Sequence, residues 1–600
     1  WAPHARTVAV VGDFNGWQPA PLSPAHDGSG RWTGFVAGAQ AGDCYKYRIE
    51  TADGQFLDKA DPFALCSESP PRTASRVWSL DHTWHDAEWM QKRAACQSGA
   101  QPISIYEVHL GSWQRADDGA FLNYRELAQR LAAHCQALNF THVELMPVAE
   151  HPFYGSWGYQ ITGYFAPTSR YGSPQDLMDL VDTLHQHGIG VLLDWVPSHF
   201  PSDAHGLATF DGTALYEHPD TRRGFQPQWK SLVFNYGRYE VRDFLISNAI
   251  FWLEKYHFDG LRVDAVASSL SLDFAREPGQ WVPNPDGGNE NFDATTFMRA
   301  LNTAVGAAFP GVHMVAEESS SWAGVSRPVD VGGLGFGMKW NMGWMNDLLR
   351  YTARPHFFRE HHGDDIRFSI WYAFNENFVL PLSHDEVVHG KYSLLQKQPG
   401  DEWQRFAGLR VVYGLMWAHP GKKLLFMGGE FAQVREWNHD SALDWHLWDQ
   451  PLHAGIARWV ADLNAVYRNV PALHRRDFDS DGFAWAGAEN DDPTIVCFFR
   501  RTGAVQADEA SGAVSAEDAT VLTVCNFTPA PHTSWRIGVP HGGRWYELLN
   551  GDATQYGGSG MGNLGGCDAE PVPCGGHAFS MCINVPPLAA VLFSDRAFAH

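Results

Sequence analysis

Basic charge is what this 600-residue chain has least of: 44 Lys and Arg stand against 68 Asp and Glu, a formal net charge of −24. Nucleic-acid backbones and anionic membrane surfaces reward net positive charge, so neither is expected as a partner. No apolar run approaches the roughly 18 residues of a membrane span. Cysteine is sparse and odd in number, at nine. None falls in a CxxC or a Cys/His pair of zinc spacing, which predicts reduced thiols in a cytosol-like compartment and no metal. There is no Gly-Lys-Ser/Thr phosphate loop and no Gly-x-Ser-x-Gly elbow. His384-Asp-Glu-Val-Val-His389 sets its histidines five apart, off a common helical face, which excludes the zinc-protease pattern. Gly333-Leu-Gly-Phe-Gly337 precedes its strand, whereas a dinucleotide fingerprint follows one. No cofactor is expected. His185, His187, His361 and His362 form no ligand set and read as surface polar residues.

Aromatic side chains, by contrast, are plentiful: 25 Trp, 36 Phe and 19 Tyr. With 44% hydrophobic and 19% charged residues, the composition suits a globular chain that buries a large core. Six hundred residues exceed one ordinary core, so several domains are expected. Residues 1–80 carry short strand-like runs (8–11, 31–36, 45–50) between turn clusters and read as a β-sandwich, trimmed at its start since Trp1 already lies in a strand-like context. Trp17 and Trp32 there are either ligand platforms or sandwich core. A polar connector spans 81–101. Between 102 and 475 short buried strands alternate with helices, the pattern of parallel α/β architecture. Strands are expected at 105–110, 142–146, 190–196, 259–265, 313–318, 335–340, 378–382 and 423–427, and helices at 124–138, 174–187, 241–256 and 401–417. Eight such strands predict a (β/α)8 barrel, with a long insertion at 197–239 after the third. Runs at 494–500, 521–527, 544–549 and 589–593 predict a C-terminal all-β domain over 476–600, within which 567–582 reads as a Cys-containing loop.

A parallel barrel places its chemistry at the C-terminal ends of its strands. The third candidate strand runs out through Asp194-Trp-Val-Pro-Ser-His199. On the fourth, Arg262 and Asp264 share one face, and the Arg there would keep the carboxylate ionised. The fifth ends in Glu317-Glu318 and the seventh runs into Ser383-His384-Asp385. Two carboxylates across a pocket are what glycosidic-bond chemistry requires: one attacks the anomeric carbon or orients water, the other protonates the leaving oxygen. Each acid alone has an ordinary reading as a satisfied surface or interface residue. Four coincident placements with Arg and His companions favour a site.

These tracts resemble the four signature regions of the α-amylase superfamily, glycoside hydrolase family 13: Asp194 to His199, Gly260-Leu-Arg-Val-Asp264, Val315-Ala-Glu-Glu-Ser319 and Leu382-Ser-His-Asp385, in that order. Longer tracts are similar to the 1,4-α-glucan branching enzymes within it, among them Tyr106-Glu-Val-His-Leu-Gly-Ser-Trp113, Phe234-Asn-Tyr-Gly-Arg-Tyr-Glu-Val-Arg242 and the run from Leu145 to Tyr159. Val10-Val-Gly-Asp-Phe-Asn-Gly-Trp17 is similar to the starch-binding-type module that precedes their barrel. The resemblance implies an α/β protein: a (β/α)8 TIM barrel flanked by an N-terminal β-sandwich carbohydrate-binding module and a C-terminal all-β domain. It implies retaining cleavage of an α-1,4 bond and transfer of the chain to a 6-hydroxyl. Asp264 would be the nucleophile, Glu317 the proton donor and later the base, and Asp385 the transition-state stabiliser alongside His384. Arg262 would orient and ionise Asp264, Asp194 would brace Arg262, and His199 would bind the same glucose. Trp157 and Tyr159 would bind substrate, Tyr159 as a stacking platform, with core packing the alternative. The implied partner is an α-glucan polysaccharide such as glycogen, amylose or amylopectin, acted on by a monomer in a bacterial cytoplasm. An α-glucan hydrolase of amylase, debranching or trehalose-releasing type is the alternative, because the carboxylates themselves do not choose between water and a sugar hydroxyl. A non-catalytic scaffold would lack one of the three acids, and all three are present. The stretch Gly224-Phe-Gln-Pro-Gln-Trp-Lys-Ser231, Phe165 and Phe274 depart from the family pattern, which bears on transferred-chain length and acceptor preference.

Overall fold

The computed structural model describes residues 1–490, 492–503 and 519–598. Eight strands close in chain order into a barrel: β1 (Ser104–Val108), β2 (His142–Leu145), β3 (Gly190–Trp195), β4 (Gly260–Val263), β5 (His313–Ala316), β6 (Met338–Trp340), β7 (Phe378–Leu382) and β8 (Lys422–Phe426). The pairs β3–β4, β4–β5, β6–β7, β7–β8 and β8–β1 are parallel. Every residue of the eight strands is buried. Burial on both faces is why they read as short apolar runs rather than alternations. All eight expected strands are present, the seventh with the expected ends and the others with shifted ones. The sixth starts at Met338 because Gly335, with φ +82°, sits in the left-handed region and cannot extend it. The first stops at Val108 because Leu110–Trp113 turns helical.

The chain packs as two compact units. The first comprises residues 1–93, 109–132 and 144–337. In it, Thr7–Gly12 pairs antiparallel with Cys44–Glu50, which pairs in turn with Phe56–Lys59. The strand expected at 31–36 shrinks to Trp32–Thr33, paired with Ser23–Pro24. Phe35, 92% exposed, shows that this arm has no face to bury, and an unburied ribbon does not extend. Trp17 is exposed and gives its indole N–H to Asp13, while half-buried Trp32 gives its own to the Ala2 carbonyl. Helix Pro174–Gln186 begins with a Ser173/Asp176 capping box and Pro in its first turn, and buries Leu177, Leu180, Val181 and Leu184. His185 at its end is not a surface residue. Its ring nitrogens lie 2.9 Å from Asp86 and from Asp259, and Asp259 also accepts from Trp89 Nε1 and the Val191 N–H. Burial opposes the imidazolium, but the two carboxylates outweigh it and lift the His185 pKa to about 9. The insertion after β3 folds into a small sheet, with Ser231–Val233 between His199–Phe200 and Phe225–Gln226.

The second unit comprises residues 94–108, 133–143 and 338–600. Helices Met342–Thr352, Glu402–Ala418 and Pro451–Asn469 accompany its barrel strands. An all-β region follows: a six-stranded sheet from Phe483–Trp485 to Gly566–Ala569 and a two-stranded one, His532–Val539 with Phe579–Val585. Phe499, Leu522, Trp535, Trp545, Met581 and Phe593 belong to its core. The 567–582 stretch is therefore not simply a loop: Cys567 and Cys582 both lie in strands, and the Pro571–Gly576 turn between them hid the strand pattern. A sealed ion cluster anchors β8 here, with Lys422 Nζ 2.9 Å and Arg500 2.8 Å from the Asp477 carboxylate, all fully buried. Among the described residues no helix is long and apolar enough to cross a membrane.

Candidate active site

In the first unit, β3, β4 and β5 deliver the acids. Asp194 lies within β3, opposite Arg262 of β4 in the parallel ladder. Asp264 and Glu317 follow directly on β4 and β5, and their N–H groups continue the ladders to the Trp195 and Val263 carbonyls, at 2.9 and 3.0 Å. Strand pleating puts Arg262 and Asp264 on one face. Arg262 Nη1 donates to Asp194 Oδ1 (2.8 Å) and to Asp264 Oδ1 (2.7 Å), and Nη2 lies 3.7 Å from Glu317 Oε2. His199 Nε2 is 3.7 Å from Asp264 Oδ2. Burial alone would raise the Asp264 carboxyl. Arg262 and His199 outweigh it and hold it below the usual carboxylate range, so the group is an anion at neutral pH. Arg262, buried, is kept charged despite desolvation by Asp194, Tyr159, Asp264 and Glu317.

The backbone takes part as well. Ala265, a non-glycine residue at φ +52°, turns left-handed right after Asp264 and starts the short helix Val266–Leu270. Its N–H donates to Glu317 Oε2 at 2.7 Å. A strained residue of this kind persists only where its surroundings over-determine it. Tyr159 donates its hydroxyl to Asp194 Oδ2 (2.5 Å), with the Arg262 guanidinium 6.0 Å from its ring centre. It is half-buried, and its hydroxyl ties it into the acid network. Trp157, at φ +58°, closes the turn Tyr154–Ser156 and is half-buried.

In the second unit, β7 leads into Ser383, His384 and Asp385. His384 Nε2 lies 3.5 Å from Asp385 Oδ1, and the Asp385 side chain is 48% exposed. Glu107 at the end of β1, fully buried, accepts the His384 backbone N–H (3.0 Å) and sits 2.5 Å from its ring Nδ1. A carboxylate there places the ring proton on Nδ1 and leaves Nε2 as the nitrogen facing Asp385. Glu107 lies in the Tyr106–Trp113 tract, but the sequence alone gives it no role, since its partner lies 277 residues away. A buried Glu two residues before His109 on an apolar strand was the available signal.

Three family profiles match: a carbohydrate-binding module 48 (isoamylase N-terminal domain) at residues 1–64, an alpha amylase catalytic domain at 126–225, and an alpha amylase C-terminal all-beta domain at 485–595. The chain is 60% identical to the 1,4-alpha-glucan branching enzyme GlgB of Aromatoleum aromaticum, across 99% of this chain and 91% of that one. It is 56% identical to the enzyme of the same name from Aquifex aeolicus, across 98% and 92%. Among solved structures, pullulanase from Bacillus acidopullulyticus superposes with a TM-score of 0.72 at 16% identity, covering 99% of this chain and 73% of that chain. Pullulanase complexed with maltotetraose from Anoxybacillus sp. LM18-11 gives 0.70 at 16%, covering 99% and 85%. At that identity the two pullulanases speak to fold alone.

Proposed function

Since this chain belongs to the family of 1,4-α-glucan branching enzymes, we propose the following division of labour among its residues. Asp264 attacks the anomeric carbon of an α-1,4-linked glucosyl unit. The bond to the departing 4-oxygen breaks as Glu317 gives that oxygen its proton. The chain is then held as a β-glycosyl ester on Asp264, and the shortened glucan leaves with a new 4-hydroxyl. Glu317, now a carboxylate, takes the proton of an incoming 6-hydroxyl, whose oxygen displaces Asp264 and forms an α-1,6 branch with net retention. Retaining geometry places the two carboxyl groups about 5–5.5 Å apart. His384 and Asp385 hold hydroxyls of the reacting sugar, with Glu107 setting the His384 tautomer. His199 binds the same sugar, and Trp157 and Tyr159 line its site.

The observation that carries this reading is the single guanidinium nitrogen, Arg262 Nη1, shared between Asp194 and Asp264. It holds one carboxylate as an anion at neutral pH, which a nucleophile must be, while Glu317 accepts the N–H of Ala265, the residue after Asp264. An acidic chain suits an uncharged polysaccharide, which binds through aromatic faces and hydrogen bonds rather than through charge. We further propose a monomer, which light scattering on the purified chain tests, working in a bacterial cytoplasm, in keeping with the bacterial source of its relatives.

The functional test incubates the protein with amylose and follows iodine colour, reducing ends, and reducing ends after enzymatic debranching. Branching lowers the colour at constant reducing ends, and debranching then frees many short chains. Reducing ends that climb as the colour fades would mean that water is the acceptor.

A further inference from the structure

The insertion after β3 and the segment after the β4 helix each carry an aromatic residue within stretches that depart from the family pattern, Trp229 and Phe274. The fold brings the two together. Their ring centres are 6.0 Å apart, inclined at 44°. Trp229 also lies against the ring of His199, 5.1 Å between centres at 42°, and His199 is the residue whose Nε2 approaches Asp264. Arg276 fastens the two segments: Nη1 donates to the Leu272 carbonyl (3.1 Å) and Nη2 to that of Phe225 (2.7 Å). Burial even lowers the Arg276 pKa. Trp229 remains half-buried on the wall of a recess edged by Ser198, His199, Ser268 and Ser271.

We propose that Trp229, backed by Phe274, is a specificity-determining platform that grips the glucan chain at the glucosyl unit next to the one held at Asp264. The proposal rests on the catalytic reading given above. An indole buttressed by a second ring and by His199 is held in one orientation, so stacking on it costs little conformational entropy. A glucosyl ring offers an apolar face to the indole and hydroxyl edges to the serines around it. The acids do the bond chemistry on one sugar, whereas this wall contacts the next. Its contribution is therefore to how tightly, and in what register, a chain is held.

The experiment compares wild type with Trp229→Ala, Trp229→Leu and Trp229→Tyr, and uses Asp264→Asn to report on the catalytic assignment separately. Circular dichroism and thermal unfolding check that each variant is folded. Leu fills the space without an aromatic face and covers the case in which Ala collapses the loop. The expected result for Ala and Leu is a KM for amylose raised roughly tenfold, the change given by about 1.4 kcal/mol of lost binding. Their kcat should move less than KM, and the chain-length profile after debranching should shift. Tyr should restore both. A Leu variant with wild-type KM and wild-type chain lengths, or one whose whole loss falls on kcat, would overturn the proposal. An active Asp264→Asn would instead overturn the catalytic reading beneath it.

Discussion

Two buried carboxylates in this molecule sit beside strong cations, and they are used differently. Asp477 meets Lys422 and Arg500 with every partner fully buried, and takes a further hydrogen bond from Tyr467. Burial would raise its carboxyl, but Lys422 and Arg500 bring its pKa to about 2. Asp264 meets Arg262 in the same way but keeps 12% of its side chain open, and its second oxygen lies 3.7 Å from His199. In one cluster the charge is fully consumed by structure. In the other, one oxygen is held by Arg262 and the second lies beside an opening, as the proposed nucleophile requires. An ionised buried carboxylate is therefore not by itself a sign of catalysis; incomplete satisfaction beside an opening is.

The sharpest way to break this contrast is to remove each acid's charge in place. Asp264→Asn is expected to lower branching activity roughly 10⁴-fold or more while the protein stays folded, read by the amylose assay and by thermal unfolding. Asp477→Asn should do the reverse. It strands Lys422 and Arg500 without their counterion, so urea unfolding should show a loss of about 3–5 kcal/mol, with turnover per folded molecule little changed. The Asp477 contribution is present above the unfolded carboxylate pKa and fades as pH falls toward about 2. A subtler test is Glu107→Gln, which keeps the size of the His384 partner but removes the carboxylate. We expect kcat to fall about tenfold to a hundredfold, as for other partners that fix a functional imidazole, with a displaced pH–rate profile. A purely structural role for Glu107 would leave that profile in place. A fourth test concerns His185. Its folded pKa of about 9 lies above the unfolded 6.5, so its contribution is complete below pH 6.5 and is lost as pH rises through about 9. Stability measured by urea unfolding should drop by about 3 kcal/mol between pH 6 and pH 10, and His185→Gln should flatten that drop.

The barrel was legible in the sequence because strands buried on both faces spell themselves as short apolar runs between helices. So was the Arg262–Asp264 pair, since a period of two forces both onto one face. What escaped depends on partners distant in the chain. His185 reads as a surface histidine at the end of an amphipathic helix, and only folding brings Asp86 and Asp259 to it. Glu107 reads as one more letter in an apolar strand until His384 arrives from 277 residues away. The strands His532–Val539 and Phe579–Val585 are hidden in the sequence by the Pro and Gly that crowd their flanks, and the strand-forming residues at 31–36 mislead because they have nothing to pack on. For Tyr159 the sequence offers platform or core, and its hydroxyl bond to Asp194 is a further use that composition does not reveal.

The central claim is that Asp264 carries the transferred chain as a covalent ester. The direct measurement exposes the enzyme to a slow-reacting glucosyl fluoride, digests it with protease, and maps the adduct by mass spectrometry. The expected result is one glycosyl adduct on the peptide containing Asp264, absent from Asp264→Asn and discharged when a glucan acceptor is added. An adduct on the Glu317 or Asp385 peptide, or full turnover of the fluoride by Asp264→Asn, would contradict it.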